Sequence, residues 1–327
     1  MWRIILVAIV ALLAVGGWYA SVNYSLEVHR GADGAFQYVR IVTRAAKTEA
    51  PGETPLDQPP AAPLKPTIRV ATFDLDGLDD NRLANPKVCE GLVRILTRFD
   101  VVALQNIRSD NHGVMLRLKD QINATGRTYD FVTCPALDKE ADDVFNALLF
   151  DETTVEVDHS TVHSVVLPPG MFHARPLVAE FRVRGPPAKE AFSFELVDVL
   201  VDPPGGPEDL DLLASIFRAE RDNGHGEDDI ILLGDLETDP DHLGPLGRVP
   251  GMTAAVSGVP TTVRGTRLAD NILFDRRATV EYTGRSGVLD MIRELDLTPQ
   301  EALEVSQHLP VWAEFSSYEG GQASHVN

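Results

Sequence analysis

The chain has 327 residues, 44% of them hydrophobic, and a formal net charge of −20 at pH 7, a composition that argues against a mainly disordered protein. Its two cysteines are too few for a disulfide scaffold or a four-cysteine zinc site. The strong acidity argues against a broad basic surface for nucleic acid, although a narrow cleft could still bind phosphate through a metal ion.

Residues 1–24 predict a membrane segment. Residues 4–20 carry no charge, and about 17 residues is the lower limit for a membrane span. Two interpretations stay open. An uncleaved signal-anchor is favoured by Trp18 and Tyr19 at the interfacial end and by the lack of a small-x-small site, and the alternative is a cleaved signal peptide. We expect residues 4–20 to contact the membrane and the bulk of the chain to be extracytoplasmic, in the periplasm or outside the cell.

Residues 25–66 are predicted to be a Pro/Ala-rich linker. Six prolines fall within residues 51–66, with almost no large apolar side chains, so this stretch cannot form a core and is typical of a semi-extended tether. The globular domain is expected to span residues 67–317, followed by a flexible tail at 318–327.

From residue 67 onward the pattern alternates between strands and helices, which predicts a layered α/β sandwich. The segments 147–150 and 154–157 are predicted to pair as a hairpin around Asp151 and Glu152. Helices are predicted at 86–98, 114–122, 210–220, 288–295 and 299–305. Strands are predicted at 68–73, 101–104, 129–134, 177–183, 192–201, 229–233, 271–274, 279–282 and 309–315.

Polar residues follow four of these segments, where α/β folds place their sites. The motifs are Thr72-Phe73-Asp74, Ala103-Leu104-Gln105-Asn106, Leu233-Gly234-Asp235-Leu236-Glu237 and Ser306-Gln307-His308-Leu309-Pro310. Their order and spacing over residues 68–315 resemble the endonuclease/exonuclease/phosphatase superfamily, the DNase I-like fold. That family reads Thr-Phe-Asn, Leu-Gln-Glu, Gly-Asp-Phe-Asn and Ser-Asp-His-Leu-Pro-Val at these places. The resemblance implies a four-layer α/β/β/α sandwich.

The resemblance also implies a chemistry. In active members a divalent cation such as Mg²⁺ lies against the scissile phosphate and stabilises developing charge. A His–Asp pair orients the nucleophilic water, and a second His stabilises the phosphate or protonates the leaving oxygen.

Carried over position by position, the family pattern is only partly retained. Asp235, Asp270 and His308 match it. The other positions are substituted. Asp74 and Glu237 each replace an Asn, Asn106 replaces the metal-binding Glu, and Val144 replaces another Glu. Leu200 replaces the first His, and Gln307 replaces the Asp that should orient a His. Without that Asp, His308 is expected to be a packing or hydrogen-bonding residue. Nearby, Asp76 is interpreted as part of a solvated acidic loop.

These substitutions favour a membrane-tethered domain that has lost catalysis and acts as a binding or regulatory module, because losing one general acid or base costs about 10²- to 10⁴-fold in rate. An active divalent-metal phosphodiesterase with a rebuilt site stays open as the alternative, and a purely structural spacer is a third. If a cation such as Mg²⁺ binds, Asp74, Asp235 and Glu237 are the expected ligands. The ligand class stays open between a phosphodiester, a nucleic acid and a protein.

Overall fold

The computed structural model describes residues 65–109, 113–133, 144–167, 172, 174–201, 206–223 and 226–321, together with the backbone of 24–30 and 36–43. The predicted membrane-contacting residues 4–20 lie outside these ranges. Within them, no helix has the length and apolar character needed to cross a bilayer.

An N-terminal unit, residues 1–58, contains the strands β1 (Tyr24–Arg30) and β2 (Phe36–Thr43), which pair antiparallel. Both strands fall almost entirely within the predicted linker 25–66, whose proline-rich composition did not predict them. The prolines themselves lie in 51–66, beyond the second strand, so a tether there stays a prediction.

Most of the secondary structure predicted after residue 66 is confirmed. The helices are α1 (Asp80–Leu83), α2 (Pro86–Leu96), α3 (Gly113–Asn123), α4 (Pro207–Arg221), α5 (Gly244–Gly247), α6 (Met291–Leu295) and α7 (Pro299–Val305). The strands are β3 (Thr67–Leu78), β4 (Val101–Arg108), β5 (Tyr129–Thr133), β6 (Val144–Asp151), β7 (Val155–Val157), β8 (His163–Ser164), β9 (Leu177–Val183), β10 (Ser193–Leu200), β11 (Ile230–Asp235), β12 (Met252–Ala254), β13 (Asp270–Asp275), β14 (Tyr282–Val288) and β15 (Val311–Ser316).

Strands β3 to β15 form two sheets. One has the order β14-β15-β3-β4-β6-β5, and the other has the order β12-β13-β11-β10-β9-β7 with β8 on β9. Side chains of the two inner faces, such as Val70 and Leu233, share one buried cluster between the sheets. Helices α2 and α3 pack on the outer side of the first sheet, and α4 and α5 pack on the outer side of the second. The expected mixed α/β fold with two packed sheets is confirmed.

The predicted hairpin and one predicted strand differ from the structure. The hairpin between 147–150 and 154–157 is wrong, because β6 pairs with β4 and β5 whereas β7 pairs with β9 in the other sheet. The chain crosses between the sheets at a tight turn in which Asp151 Oδ1 accepts a hydrogen bond from the backbone N of Thr153 at 2.9 Å. The strand predicted at 279–282 begins only at Tyr282, because Ala278 and Thr279 continue a turn hydrogen-bonded to the carbonyl of Asp275.

Parallel pairing places the functional strand ends together. Strand β3 runs parallel to β4, and β10 runs parallel to β11, so within each pair the carboxyl ends share one edge. Gly234 brings β11 close to β10, since a Cβ at this position would lie 1.9 Å from the carbonyl oxygen of Val199. This close approach sets Asp235 beside Leu200 in the strand register.

Candidate active site

A cavity of about 480 Å³ opens at the carboxyl ends of β3, β4, β10 and β11. Every predicted site position except Asp270 lines it, and Asp270 lies beneath it, hydrogen-bonded to His308. The lining positions are Asp74, Asn106, Val144, Leu200, Asp235, Glu237, Gln307 and His308.

The imidazole of His308 is held by Asp270. Its Nδ1 lies 3.0 and 3.1 Å from the two carboxylate oxygens of Asp270, which is fully buried and also accepts a hydrogen bond from Thr261 Oγ1 at 2.8 Å. The expectation that His308 lacks an orienting carboxylate is therefore wrong. Gln307 instead donates its amide to Asp76, at 3.1 and 3.2 Å to the two oxygens, which also brings Asp76 from the expected solvated loop to the cavity wall.

Nearby negative charge keeps His308 protonated. Burial alone would lower the pKa of His308, but the carboxylate of Asp270, together with those of Asp74 and Asp235, raises this pKa to about 10. At neutral pH the side chain is therefore an imidazolium, which can donate a proton or stabilise an anion but cannot accept a proton.

An Asp270→Asn variant tests this arrangement. Removing the charge that faces Nδ1 should lower the pKa of His308 by about 1–3 units, because an opposite charge at hydrogen-bonding distance shifts a pKa by that amount. The measurement is an NMR titration of the His308 imidazole in chelator-treated protein. Gln307→Ala is the control and should leave the pKa of His308 unchanged. If Gln307→Ala shifts this pKa and Asp270→Asn does not, then residue 307 and not Asp270 orients the imidazole.

Asp74 and Asp235 are buried carboxylates on the cavity wall, 2% and 3% exposed. Asp74 Oδ1 accepts a hydrogen bond from the backbone N of Asp76 at 2.5 Å, and Asp235 Oδ1 accepts one from the backbone N of Glu237 at 3.0 Å. Burial raises the pKa of Asp74 to about 6 against the opposing charge of His308. Burial and the charge of Asp270 hold the pKa of Asp235 well above its usual range.

These two carboxylates fit a divalent cation. Ligand atoms of Asp74, Asp235 and His308 lie within 4.8 Å of one another, and the backbone hydrogen bonds to the two carboxylates use Oδ1 of each. Oxygen ligands suit Mg²⁺ and Mn²⁺, and a cation would compensate two charges whose burial is otherwise costly. When bound, it would supply charge stabilisation to a phosphate oxygen. Glu237 lies outside this group, because its carboxylate pairs with the guanidinium of Arg267.

One wall of the cavity, beside Asp235 in the strand register, is apolar. It is formed by Leu200, Val201 and Val144, with Asn106 at the end of β4. Among the described residues that line the cavity, His308 is the sole imidazole. This wall therefore offers no group that could take a proton from an attacking water.

Sequence reasoning missed a set of arginines at the cavity. Arg108 follows the second strand motif, while Arg264 and Arg267 belong to the loop that precedes Asp270. The two arginines flank a glycine in Val-Arg-Gly-Thr-Arg, a loop signal that could have drawn attention to them. The lining therefore places three guanidinium groups beside four carboxylates, and Arg267 is paired with Glu237, so Arg108 and Arg264 are the two that suit an anionic ligand.

A buried polar network under the site was also missed. Gln105 Nε2 donates to Asp198 Oδ1 at 2.7 Å, and Thr72 Oγ1 donates to Gln105 Oε1 at 3.1 Å. These bonds join the two sheets directly below the cavity. They hold the end of β4, and with it Asn106, in position.

Known proteins include chains that are similar to this one, although no family model matches. Deoxyribonuclease-1-like 1 of Cricetulus griseus is 26% identical over 270 residues, which cover 79% of this chain and 85% of the relative. A solved humanized D. rerio TDP2 aligns with a TM-score of 0.56 at 16% identity, over 77% of this chain and 100% of that one. An endonuclease/exonuclease/phosphatase family protein from Bacteroides thetaiotaomicron aligns with a TM-score of 0.51 at 12% identity, over 76% and 97%. The structural likenesses concern the fold.

Proposed function

We propose that this chain, which belongs to the endonuclease/exonuclease/phosphatase superfamily, binds a divalent cation and a phosphate-bearing ligand in its DNase I-like cavity but hydrolyses phosphodiesters only at a residual rate. The observation that carries the proposal is the asymmetry of the cavity. One wall has Asp74, Asp235 and His308, which is held by Asp270, whereas the adjoining wall is apolar around Leu200.

Binding is supported by the charges on the first wall. A cation held by Asp74 and Asp235 would coordinate phosphate oxygens, and the imidazolium of His308 lies beside it, with Nε2 at 4.0 Å from Asp235 Oδ2. Arg108 and Arg264 add guanidinium groups that pair well with phosphate. The cavity therefore keeps the groups that recognise a phosphate.

Efficient hydrolysis requires one more function, a base for the attacking water. The carboxylate of Asp270, which faces Nδ1, favours the protonated form of His308, which cannot accept a proton, and Leu200 has no group that accepts one. Asn106 offers an uncharged amide oxygen, which is a weaker ligand than a carboxylate. The site therefore supports recognition better than turnover.

The ligand class is proposed from the relatives and the charge. The curated relative is named a deoxyribonuclease, so a DNA phosphodiester is the first ligand to test. A net charge of −20 disfavours a long electrostatic contact with duplex DNA, so a single phosphate or strand end is the better candidate. A small phosphodiester or a phosphorylated protein ligand would use the same groups.

The second candidate function is an active phosphodiesterase with a rebuilt site. Two observations favour it: the Asp270–His308 pair is intact, and Asp74 adds a carboxylate beside Asp235. A more strongly held cation could then lower the pKa of a bound water enough to generate the nucleophile without a base.

Titration of Mn²⁺ by calorimetry, run beside hydrolysis of a nitrophenyl phosphodiester and of single-stranded DNA, tests the proposal. Asp235→Asn should weaken the cavity's cation affinity at least about 10-fold, a loss that even indirect changes cause at metal sites. Wild type and Asp235→Asn should hydrolyse both phosphodiester substrates at the same low rate. Asp222→Asn, which removes an exposed charge paired with Arg221, is the control and should bind like wild type.

The two candidate functions give different rate patterns in this experiment. Metal-dependent turnover in wild type that disappears in Asp235→Asn would support the active alternative. Cation affinity that is equal in wild type and Asp235→Asn would refute the binding site itself.

We also propose that residues 4–20 tether the domain to a membrane, with residues 67–317 on the extracytoplasmic side. The support is the uncharged N-terminal run and its aromatic end, Trp18 and Tyr19. Membrane fractionation of the full chain beside residues 25–327 tests this proposal.

A further inference from the structure

A second group of carboxylates lies at the opposite end of the sandwich. Asp229 immediately precedes β11, whose last residue is the cavity residue Asp235. They are six residue steps apart along an extended strand, which corresponds to about 20 Å. The group comprises Glu227, Asp228, Asp229, Glu281 and Glu319.

Three chain segments from both sheets converge on this group. Asp229 leads into a strand of the second sheet, whereas Glu281 precedes β14 and Glu319 follows β15, both in the first sheet. One carboxylate oxygen from each of the three lies within 4.8 Å of the others. Backbone amides hold two of them: N of Gly320 donates to Glu281 Oε1 at 2.6 Å, and N of Ser193 donates to Glu319 Oε2 at 3.3 Å.

Two oxygens of the group are buried without a partner. Asp229 and Glu281 are 2% and 1% exposed, and in the described part of the chain neither Asp229 Oδ1 nor Glu281 Oε2 accepts a hydrogen bond of normal geometry, although the Thr279 hydroxyl lies close enough to Asp229 to lower its pKa. Buried polar atoms are almost always satisfied, and a buried unpaired carboxylate is costly. Such an arrangement calls for a positive species at this place.

The described residues supply no such species themselves. No Lys, Arg or His among them forms an ion pair with any of the five carboxylates. Burial, followed by the charge of Glu281, raises the pKa of Asp229 to about 8, so protons would occupy the group when nothing else does. One proton compensates one carboxylate, whereas a divalent cation can compensate two or more.

We propose that Asp229, Glu281 and Glu319 bind a divalent cation of the Ca²⁺ class, which joins the two sheets at the end remote from the cavity. Ca²⁺ accepts several oxygen ligands in irregular geometry, which matches carboxylates from three separate segments. Glu319 is exposed and gives the ion a path from solvent. The site is structural and independent of the cavity's chemistry.

The test is thermal unfolding and calorimetry at pH 8 with and without Ca²⁺. At a Ca²⁺ concentration about 100-fold above Kd, the Tm of wild type should rise by about 5–10 °C. Asp229→Asn and Glu281→Gln should each lose this rise, and both should fold, because each removes a buried unpaired charge. Asp222→Asn, which removes an exposed charge paired with Arg221, is the control and should keep the rise, and Asp235→Asn measures any part of the rise that comes from the cavity.

Three results would overturn the proposal. The first is that Ca²⁺ changes neither the Tm of wild type nor the heat of titration. The second is that the rise in Tm persists in both Asp229→Asn and Glu281→Gln. The third is that the rise in Tm is lost only in Asp235→Asn. The last result would assign the ion to the cavity. None of the three would affect the function proposed for the cavity, which is judged by Mn²⁺ binding and hydrolysis in Asp235→Asn.

Discussion

A double variant with Asn106→Glu and Leu200→His should hydrolyse phosphodiesters about 10²- to 10⁴-fold faster than wild type, the range that one positioned acid or base contributes. Leu200 pairs in register with Asp235 at the cavity, so an imidazole at this position would face the proposed cation and its water. Glu at position 106 would add a charged oxygen ligand at the end of β4. The measurement is the initial rate on a nitrophenyl phosphodiester with Mn²⁺ or Mg²⁺.

The variant has a cost that must be measured alongside the rate. Asn106 has a φ of 59°, in the left-handed region that Asn tolerates, and another residue there costs about 1–2 kcal/mol. Leu200 is buried, so a polar ring at this position also weakens packing. Thermal unfolding therefore accompanies every rate measurement, to show that the protein assayed is folded.

Two controls separate chemistry from repacking. Asn106→Gln with Leu200→Gln has side chains of similar size but neither the carboxylate nor the imidazole, and it should stay at the wild-type rate. Adding Asp235→Asn to the Glu/His variant should remove the gain. A folded Glu/His variant that binds the cation yet gains no rate would show that the apolar wall is not what limits hydrolysis.

The sequence predicted the position of the site well, for a simple reason. Three of the four motifs end a buried strand, and parallel pairing of β3 with β4 and of β10 with β11 brings strand ends to shared edges. The fourth motif leads into β15, whose first residue pairs with Thr72 near the end of β3. The register that sets Asp235 beside Leu200 follows from this pairing and from Gly234. Strand periodicity and short motifs are local signals, so they predict where the site lies without a structure.

The partners within the site could not be predicted in the same way. His308 is held by Asp270, 38 residues earlier in the chain, and not by its neighbour Gln307. Glu237 was expected to bind a cation, but its carboxylate pairs with Arg267 from a loop that has no strand or helix pattern. These contacts depend on how distant segments fold over the strand ends, which residue spacing does not encode.

The same limit applies to the buried network below the cavity. Asp198 is fully buried; its Oδ1 accepts from Gln105, while its Oδ2 has no partner in the described residues. Asn146 Oδ1 is likewise buried without a partner, and Asn146 Nδ2 lies 3.5 Å from Asp198 Oδ1. Burial, outweighing the hydrogen bond from Gln105, holds the pKa of Asp198 well above its usual range. A proton on Asp198 would supply the donor that these acceptors lack.

Asp198→Asn should therefore raise the free energy of unfolding at pH 8 by about 1–3 kcal/mol, the usual cost of an unsatisfied buried polar group. Because the pKa of Asp198 is raised in the folded state, the folded chain binds more protons than the unfolded chain above about pH 4, and wild-type stability falls as pH rises. The Asn amide does not ionise, so the variant should escape this fall and match wild type near pH 4. Urea unfolding at pH 4, 6 and 8 measures the difference.

Asp100→Asn is the matched control for this change. Asp100 is also buried, but its oxygens accept hydrogen bonds from Lys65 Nζ and from the backbone N of Arg69, both at 2.8 Å. A paired carboxylate is stabilising when ionised, so Asp100→Asn should lower stability at pH 8, opposite in sign to Asp198→Asn. If Asp198→Asn and Asp100→Asn lower the free energy of unfolding equally, Asp198 is ionised in the folded protein. The network would then require a positive partner, and a cation in the cavity above Gln105 is the group that could provide it.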